Sequence, residues 1–236
     1  MPTSSPFSRL PPRTPPRGRD RNWQQSLALP DRIDLYLHGL LERNIASYGF
    51  WIWDLADNRL LAERRGIAAR GGSSHRFIAE FRAAAHAMTW LLREKMVGRP
   101  LALHTDSPTV YHCLARPQHL PSELPTALAD QLRAIVPSLS HMQVKLVPEA
   151  ANARAVQLAA EAYVRCQESR RTALAERVLY ELQPIGHGRF RVGSRYDVDL
   201  VTGTCTCPDF RSLLSGRFPV RCKHLLAAAH LFGGQG

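Results

Sequence analysis

The sequence predicts an α/β domain followed by a small module of short strands and a terminal helix. Between residues 31 and 166, β-branched and aromatic runs alternate with segments of helical hydrophobic period, in the order β-β-β-α-β-α-α-β-α. From residue 177 the chain changes to three strand-like runs, a cysteine cluster and an apolar helix. With 236 residues, 44% of them hydrophobic and 22% charged, the chain can build one or two globular domains. This composition excludes a wholly disordered or fibrous protein.

The elements of the first domain follow from local patterns. A turn pair, Asp57-Asn58, separates two strand-like runs and predicts a hairpin, and Asp106 or Ser107 is placed to cap a helix. Strands are expected at 33–38, 48–54, 59–65, 101–104 and 143–147, and helices at 76–96, about 107–115, 123–136 and 152–166. In the second module, strands are expected at 178–182, 189–192 and 196–200, and a helix at 222–232.

Composition divides the chain into four parts. Residues 1–30 hold seven of the 17 prolines and five arginines against one acid, which predicts a disordered basic tail. Residues 31–166 form the α/β domain, and 177–236 form the cysteine-containing module. The charged and weakly apolar stretch 167–176 is interpreted as a connector between them.

The net charge of +11 points to a polyanionic partner. Lysine and arginine number 31 against 20 acids, and only three of the basic residues are lysines. Arginine pairs with phosphate through a planar fork, so a nucleic acid is the leading candidate, and a solvated basic surface without a ligand is the alternative. The tail carries +4, residues 31–165 carry +3 and residues 166–236 carry +4, so most of the excess lies at the two ends.

Three of the five cysteines form a motif with metal-ligand spacing. Cys205-x-Cys207 is followed, after 14 residues, by Cys222-x-His224. Three thiolates and one imidazole form a closed tetrahedral set for Zn²⁺ without an open catalytic position. The set therefore predicts a structural zinc site in a reducing compartment. The alternative interpretation, without a metal, is that the three cysteines pack in the hydrophobic core and the histidine is near them by chance.

Residues 177–232 resemble the SWIM zinc finger. The resemblance rests on the paired x-spacings and on the residues around them: Tyr196-Asp-Val, the run Cys205-Thr-Cys207-Pro208-Asp209-Phe210, and Arg221-Cys222-Lys223-His224-Leu225-Leu226-Ala227. It implies a module that binds DNA or protein, commonly beside nucleic-acid enzymes.

Residues 32–166 resemble the ribonuclease H-like fold, a mixed five-stranded sheet with flanking helices. The segments that carry the resemblance are Tyr36-Leu37-His38-Gly39, Ala79-Glu80-Phe-Arg-Ala-Ala, Thr105-Asp106-Ser107 and Val147-Pro148 leading to Asn152-Ala-Arg-Ala-Val156. In that family four carboxylates hold two Mg²⁺ or Mn²⁺ ions, which activate water and stabilise the leaving oxygen of a phosphodiester.

Only two of those four carboxylates are present here. The second position falls on Glu80 and the third on Asp106, whereas the first falls on His38 and the fourth on Val156. An imidazole prefers softer transition metals to Mg²⁺, and valine offers no ligand. The resemblance therefore implies a remnant acidic site of Glu80, Asp106 and His38, with a one-metal site of these three residues as the alternative.

Three functions are consistent with this reading. The favoured one is a non-enzymatic protein that binds DNA or an RNA–DNA hybrid through a degenerate ribonuclease H-like domain, the zinc module and the basic tail. The second is a metal-dependent nuclease with an altered acidic site, and the third is an adaptor that binds a protein partner through the zinc module. Because there is neither an 18-residue apolar run nor a signal peptide, a cytoplasmic or nucleoid-associated location is expected, or a nuclear one in a eukaryote.

Overall fold

The computed structural model describes residues 31–71, 75–116, 119–139, 141–214, 218 and 220–233. The predicted basic tail at 1–30 lies outside these residues. The described chain forms two sheets, one of five strands and one of four. No helix among the described residues is long and apolar enough to cross a membrane.

The first domain has the mixed five-stranded sheet that the sequence predicts. Its strand order is β3-β2-β1-β4-β5, with β1, β2 and β3 antiparallel and β4 and β5 parallel to β1. The strands are β1 (Ile33–Glu42), β2 (Ile45–Asp54), β3 (Arg59–Arg70), β4 (Leu101–Thr105) and β5 (Met142–Leu146); the helices are α1 (Arg76–Arg93), α2 (Pro108–Ala115), α3 (Thr126–Ile135) and α4 (Ala153–Val178).

The central strand β1 divides its side chains between two packed layers, because successive residues point to opposite faces of a sheet. Leu35 and Leu37 belong to the buried cluster that also holds Phe81 of α1 and Leu132 of α3. On the opposite face α4 lies directly against β2 at Gly49, where an added Cβ would lie 2.5 Å from the carbonyl oxygen of Ala155. The sheet is thus covered by α1 and α3 on one face and partly by α4 on the other.

The long helix differs most from its prediction. It was expected to end at Cys166 but continues to Val178, so the predicted connector 167–176 is part of α4. Its apolar residues are sparse, yet Ala175 and Val178 are buried in a cluster shared with the C-terminal module. The predicted strand at 178–182 was wrong for the same reason: a 3-10 turn, Leu179–Glu181, extends the helical segment before the next strand.

The C-terminal module is a four-stranded antiparallel sheet with two helices. The sheet order is β6-β7-β8-β9, one strand more than the sequence predicts, and a short helix between the two ligand pairs was not predicted. The elements are β6 (Leu182–Gly186), β7 (Arg189–Val192), β8 (Tyr196–Asp199), β9 (Thr204–Cys205), α5 (Pro208–Leu214) and α6 (Lys223–Gly233).

The two parts of the chain share one hydrophobic cluster. It joins Leu40 and Ile45, at the β1–β2 hairpin, and Tyr163 of α4 to Phe190 and Leu225 of the module. Polar contacts reinforce this junction: Arg43 in the hairpin donates to the carbonyl oxygen of Ser212, and Arg171 of α4 pairs with Asp209 of α5. The module therefore packs on the hairpin end of the first sheet and on the C-terminal half of α4.

Candidate metal centre and acidic cluster

The four predicted zinc ligands meet at one buried point. Cys205 ends β9, Cys207 precedes α5, Cys222 precedes α6 and His224 lies in its first turn. Their four ligand atoms lie within 4.8 Å of one another, and Cys205 Sγ is 3.7 Å from His224 Nδ1. Zn–S bonds of about 2.3 Å in a tetrahedron place neighbouring ligand atoms ~3.8 Å apart. The donor set and the distances fit a structural Zn²⁺ ion.

The protonation of the thiols also indicates a site built for a cation. A hydrogen bond from Cys205 lowers the pKa of the Cys222 thiol to about 4, while the shared bond and burial raise that of Cys205. Burial also raises the pKa of Cys207. Three adjacent thiols thus cannot all ionise by themselves, whereas Zn²⁺ binds all three as thiolates and releases their protons.

Neighbouring groups orient the zinc ligands. The backbone N–H of Phe210 donates to Cys207 Sγ over 3.2 Å, and the ring of Tyr196 stacks on His224 with a centroid separation of 5.2 Å. Such contacts hold the ligand side chains in a defined orientation around the metal position.

The three residues of the predicted remnant acidic site also come together. His38 lies on β1, Glu80 on α1, and Asp106 follows β4. Gly39 permits this convergence, because an added Cβ there would lie 2.4 Å from Glu80 Cγ and 2.7 Å from its backbone nitrogen. The first helix can therefore approach β1 closely enough to place its carboxylate beside the strand.

Asp106 is surrounded by hydrogen-bond donors. His38 Nδ1 donates to both carboxylate oxygens, at 2.9 and 3.0 Å, while Asn152 Nδ2 reaches Oδ1 at 2.9 Å and Arg76 Nη2 reaches Oδ2 at 2.8 Å. Burial opposes ionisation, but these donors outweigh it and lower the pKa of Asp106 to about 2. Asp106 is therefore an ionised carboxylate whose charge is already compensated by the protein.

Glu80 behaves in the opposite way. Its side chain is only 2% exposed, and this burial raises its pKa despite a hydrogen bond with Ser107 and the nearby Arg76 guanidinium. Arg76 Nε lies 3.0 Å from Glu80 Oε1, so the same guanidinium contacts both carboxylates. One half-exposed positive side chain thus pairs with both acids.

Two residues of this cluster were missed by sequence reasoning. Arg76 precedes Glu80 by one helical turn, a spacing that brings side chains together. Asn152, rather than the predicted Val156, faces the cluster from the start of α4, and it also donates to the carbonyl oxygen of Leu37 at 2.6 Å. The 3-10 turn Glu149–Asn152 sets this phase of the helix, which counting along the sequence could not reveal.

The acids outside the cluster have other partners. Asp34 pairs with Arg32 and lies 3.4 Å from Nε2 of His104, whose ring lies on the same face of the sheet. Asp54, at the end of β2, is buried and accepts two hydrogen bonds from Arg99, at 2.7 and 2.9 Å. Neither acid supplies a substitute for the missing carboxylates.

Family comparisons agree with both parts of the chain. The model of a reverse transcriptase-like family matches residues 39–162, and that of the SWIM zinc finger matches residues 192–233. No curated protein sequence matches the chain.

Solved structures with a similar fold cover about half of the chain. A ribonuclease H1 from the halophilic archaeon Halobacterium salinarum is 23% identical, with a TM-score of 0.48 over 56% of this chain and 97% of that one. The N-terminal RNase H domain of a Mycobacterium tuberculosis protein is 23% identical, with a TM-score of 0.47 over 56% and 98%. An RNase H1 isolated from compost, in complex with RNA/DNA hybrid, is 21% identical, with a TM-score of 0.45 over 55% and 95%.

Proposed function

The chain belongs to the reverse transcriptase-like family, and from this membership and its SWIM zinc finger we propose that it binds nucleic acid without cutting it. The zinc finger and the ribonuclease H-like fold place it among zinc-binding, nucleic-acid-related proteins. The finer proposal is that the ribonuclease H-like domain serves as a shaped surface for DNA or an RNA–DNA hybrid, and that the zinc module adds contacts to phosphate.

One observation carries the non-catalytic assignment: Arg76 already pairs with both of the remaining acids. Its guanidinium contacts Asp106 at 2.8 Å and Glu80 at 3.0 Å. Two-metal catalysis needs carboxylates that are free to coordinate ions on both sides of the scissile phosphate. A Mg²⁺ or Mn²⁺ ion that bound both acids would have to compete with this arginine, and the imidazole of His38 is a poor ligand for either ion.

The charges of the zinc module support the choice of a polyanion as partner. Its acids are largely engaged within the protein: Asp197 pairs with Arg191, Asp209 with Arg171, and Asp199 accepts two backbone N–H groups. Several of its basic residues form no ion pair with any described residue, namely Arg189, Arg195, Arg221 and Lys223. Basic side chains that have no ion-pair partner within the protein can provide the electrostatic contacts that phosphate binding requires.

A paired binding and cleavage assay tests the proposal. Labelled RNA–DNA hybrid, duplex DNA and single strands are titrated with the full chain, and the same substrates are incubated with it in Mg²⁺ or Mn²⁺. We expect binding that weakens steeply with salt, and no cleavage. Metal-dependent cleavage that disappears in both Glu80→Gln and Asp106→Asn would establish the nuclease alternative instead.

The adaptor alternative predicts a different result in the same assay. If the zinc module serves only to bind a protein, the full chain should show no measurable affinity for any of the nucleic acids at low salt. That outcome would overturn the proposed function, because +11 net charge favours association most strongly under those conditions.

A further inference from the structure

Tyr180 is an aromatic side chain that the fold holds out into solvent. It lies in the 3-10 turn Leu179–Glu181, between α4 and β6, and it is 96% exposed. The residues on either side anchor the backbone, since Val178 and Leu182 are buried in the cluster shared by the two parts of the chain. The ring itself contacts no described aromatic side chain, and its hydroxyl makes no hydrogen bond to a described residue.

A ring that stays in water contributes almost nothing to the free energy of folding. A tyrosine side chain normally buries much of its 150–250 Å² of surface. Here that surface stays in water on a rigid support, because the turn is fixed at both ends by buried residues. Both faces of the ring are therefore available to a flat partner without any rearrangement of the chain.

Two arginines lie on backbone segments next to Tyr180. Arg177 precedes it by three residues, near the end of α4, and Arg195 lies in the β7–β8 turn. That turn is held beside Tyr180 by a hydrogen bond of 3.0 Å from the Gly193 N–H to the Glu181 carbonyl oxygen. Both arginines are exposed, and neither forms an ion pair with a described residue.

Acidic residues limit the net charge around the ring. Glu176 and Glu181 are exposed and adjacent in sequence to Arg177 and Tyr180. The local balance is therefore near neutral, and phosphate attraction alone would be weak at this spot. Stacking on the ring is the contact that this arrangement supplies best, with the arginines positioning the backbone of the ligand.

We propose that Tyr180 is a stacking site for an unpaired base, which makes single-stranded nucleic acid, or the single-stranded end of a duplex, the ligand of the zinc module. The inference rests on the proposed nucleic-acid-binding function and specifies its ligand class. Aromatic stacking accepts any base, because every base has a π-face, but it requires that the base be free of its duplex neighbours. A duplex presents such a face only at its ends.

The test compares Tyr180→Ala and Tyr180→Phe in the zinc-loaded full chain. Fluorescence anisotropy measures affinity for a labelled 12-nucleotide single strand and for a duplex of equal charge whose two ends are closed by non-nucleotide linkers, so that it presents no unpaired base and no open end. Phe232→Ala is the matched control, since Phe232 is another exposed aromatic residue of the module, at 58%. Because Tyr180 packs against nothing described, zinc content and thermal stability should be unchanged in every variant.

We expect Tyr180→Ala to weaken single-strand binding about 5- to 150-fold, the range for loss of one stacked base. Tyr180→Phe and Phe232→Ala should bind like the native chain, and duplex affinity should change less than about twofold, since no stack is lost there. The ratio between native and Tyr180→Ala should persist as salt is raised, because stacking releases no counterions.

Three outcomes would overturn the inference. Equal single-strand affinity for native chain and Tyr180→Ala would remove the stacking site while leaving the proposed function intact. An equal loss for single strand and duplex, or a loss that disappears at high salt, would indicate a phosphate contact instead. Absence of binding to any nucleic acid by the native chain would refute the proposed function itself, and a protein ligand for Tyr180 would then be the surviving explanation.

Discussion

Replacing Asp106 by Asn removes the carboxylate at the centre of the acidic cluster while keeping its shape. The Asp106 side chain is 5% exposed and accepts hydrogen bonds from His38, Arg76 and Asn152. In Asp106→Asn the guanidinium of Arg76 loses one of its two carboxylate partners, and the amide group meets donors where an acceptor is needed. We therefore expect the variant to be less stable than the native chain.

The magnitude follows from the pKa of Asp106. The cluster lowers this pKa from 3.8 to about 2, and each unit corresponds to ~1.4 kcal/mol of differential stability. The charged carboxylate thus contributes about 2.5 kcal/mol to the free energy of unfolding at neutral pH. Because the folded-state pKa is the lower one, this contribution is complete above pH 3.8 and is lost as the pH falls toward 2.

Urea unfolding of the zinc-loaded chain, followed by circular dichroism, measures the effect. At neutral pH, where the native carboxylate is ionised, we expect Asp106→Asn to lose about 2.5 kcal/mol. Asp57→Asn is the matched control: Asp57 also pairs with an arginine but is exposed, so its loss should stay under about 1 kcal/mol.

Two results would refute this reasoning. A loss for Asp106→Asn no larger than that of Asp57→Asn would mean that the cluster does not stabilise the ionised carboxylate. A rise in the native chain's free energy of unfolding with ~10 mM Mg²⁺, absent in Asp106→Asn, would mean that the ion displaces Arg76, because a ligand of the folded state stabilises it. Either result would remove the main support for a non-catalytic domain.

Two further predictions concern the zinc site and the packing of α4. Elemental analysis should find about one zinc ion per native chain and none in Cys222→Ser, whose module should unfold. Cys166→Ser, which lies outside the ligand set, should retain its ion. Zinc retained in Cys222→Ser would refute the assignment. Gly49→Ala should lower the free energy of unfolding by about 1–3 kcal/mol, because the added Cβ would lie 2.5 Å from both Ala155 O and Leu158 Cβ. Gly98→Ala, whose added Cβ would meet nothing within 4 Å, should change the free energy of unfolding by under about 1 kcal/mol. Equal effects of the two substitutions would contradict the close approach of α4 to β2.

The zinc ligands could be predicted from the sequence because each pair is local. Cys205 and Cys207 are two residues apart, as are Cys222 and His224, so short-range geometry already brings each pair to one side of the chain. Only the meeting of the two pairs requires tertiary structure, and a closed set of three thiolates and an imidazole has few other uses. The mixed five-stranded sheet followed similarly from strand and helix patterns together with the resemblance to a known fold.

The chemistry of the acidic cluster could not be predicted in this way. Its partners lie far apart in sequence: Asp106 meets His38 across 68 residues and Asn152 across 46. Which side chain points at the cluster depends on the rotation of α1 and on where α4 begins. If α1 or α4 began one residue earlier or later, Arg76 or Asn152 would point away from the cluster, because each residue advances about 100° around a helix.

The sequence by itself determined the two-part organisation and the zinc-ligand set, because residue identity and local period are properties of the chain alone. Tertiary structure alone decided that Arg76 pairs with both Glu80 and Asp106, that α4 continues into the zinc module, and that Tyr180 projects into solvent. Each of these depends on which surfaces are buried together, and burial is settled only when distant segments pack.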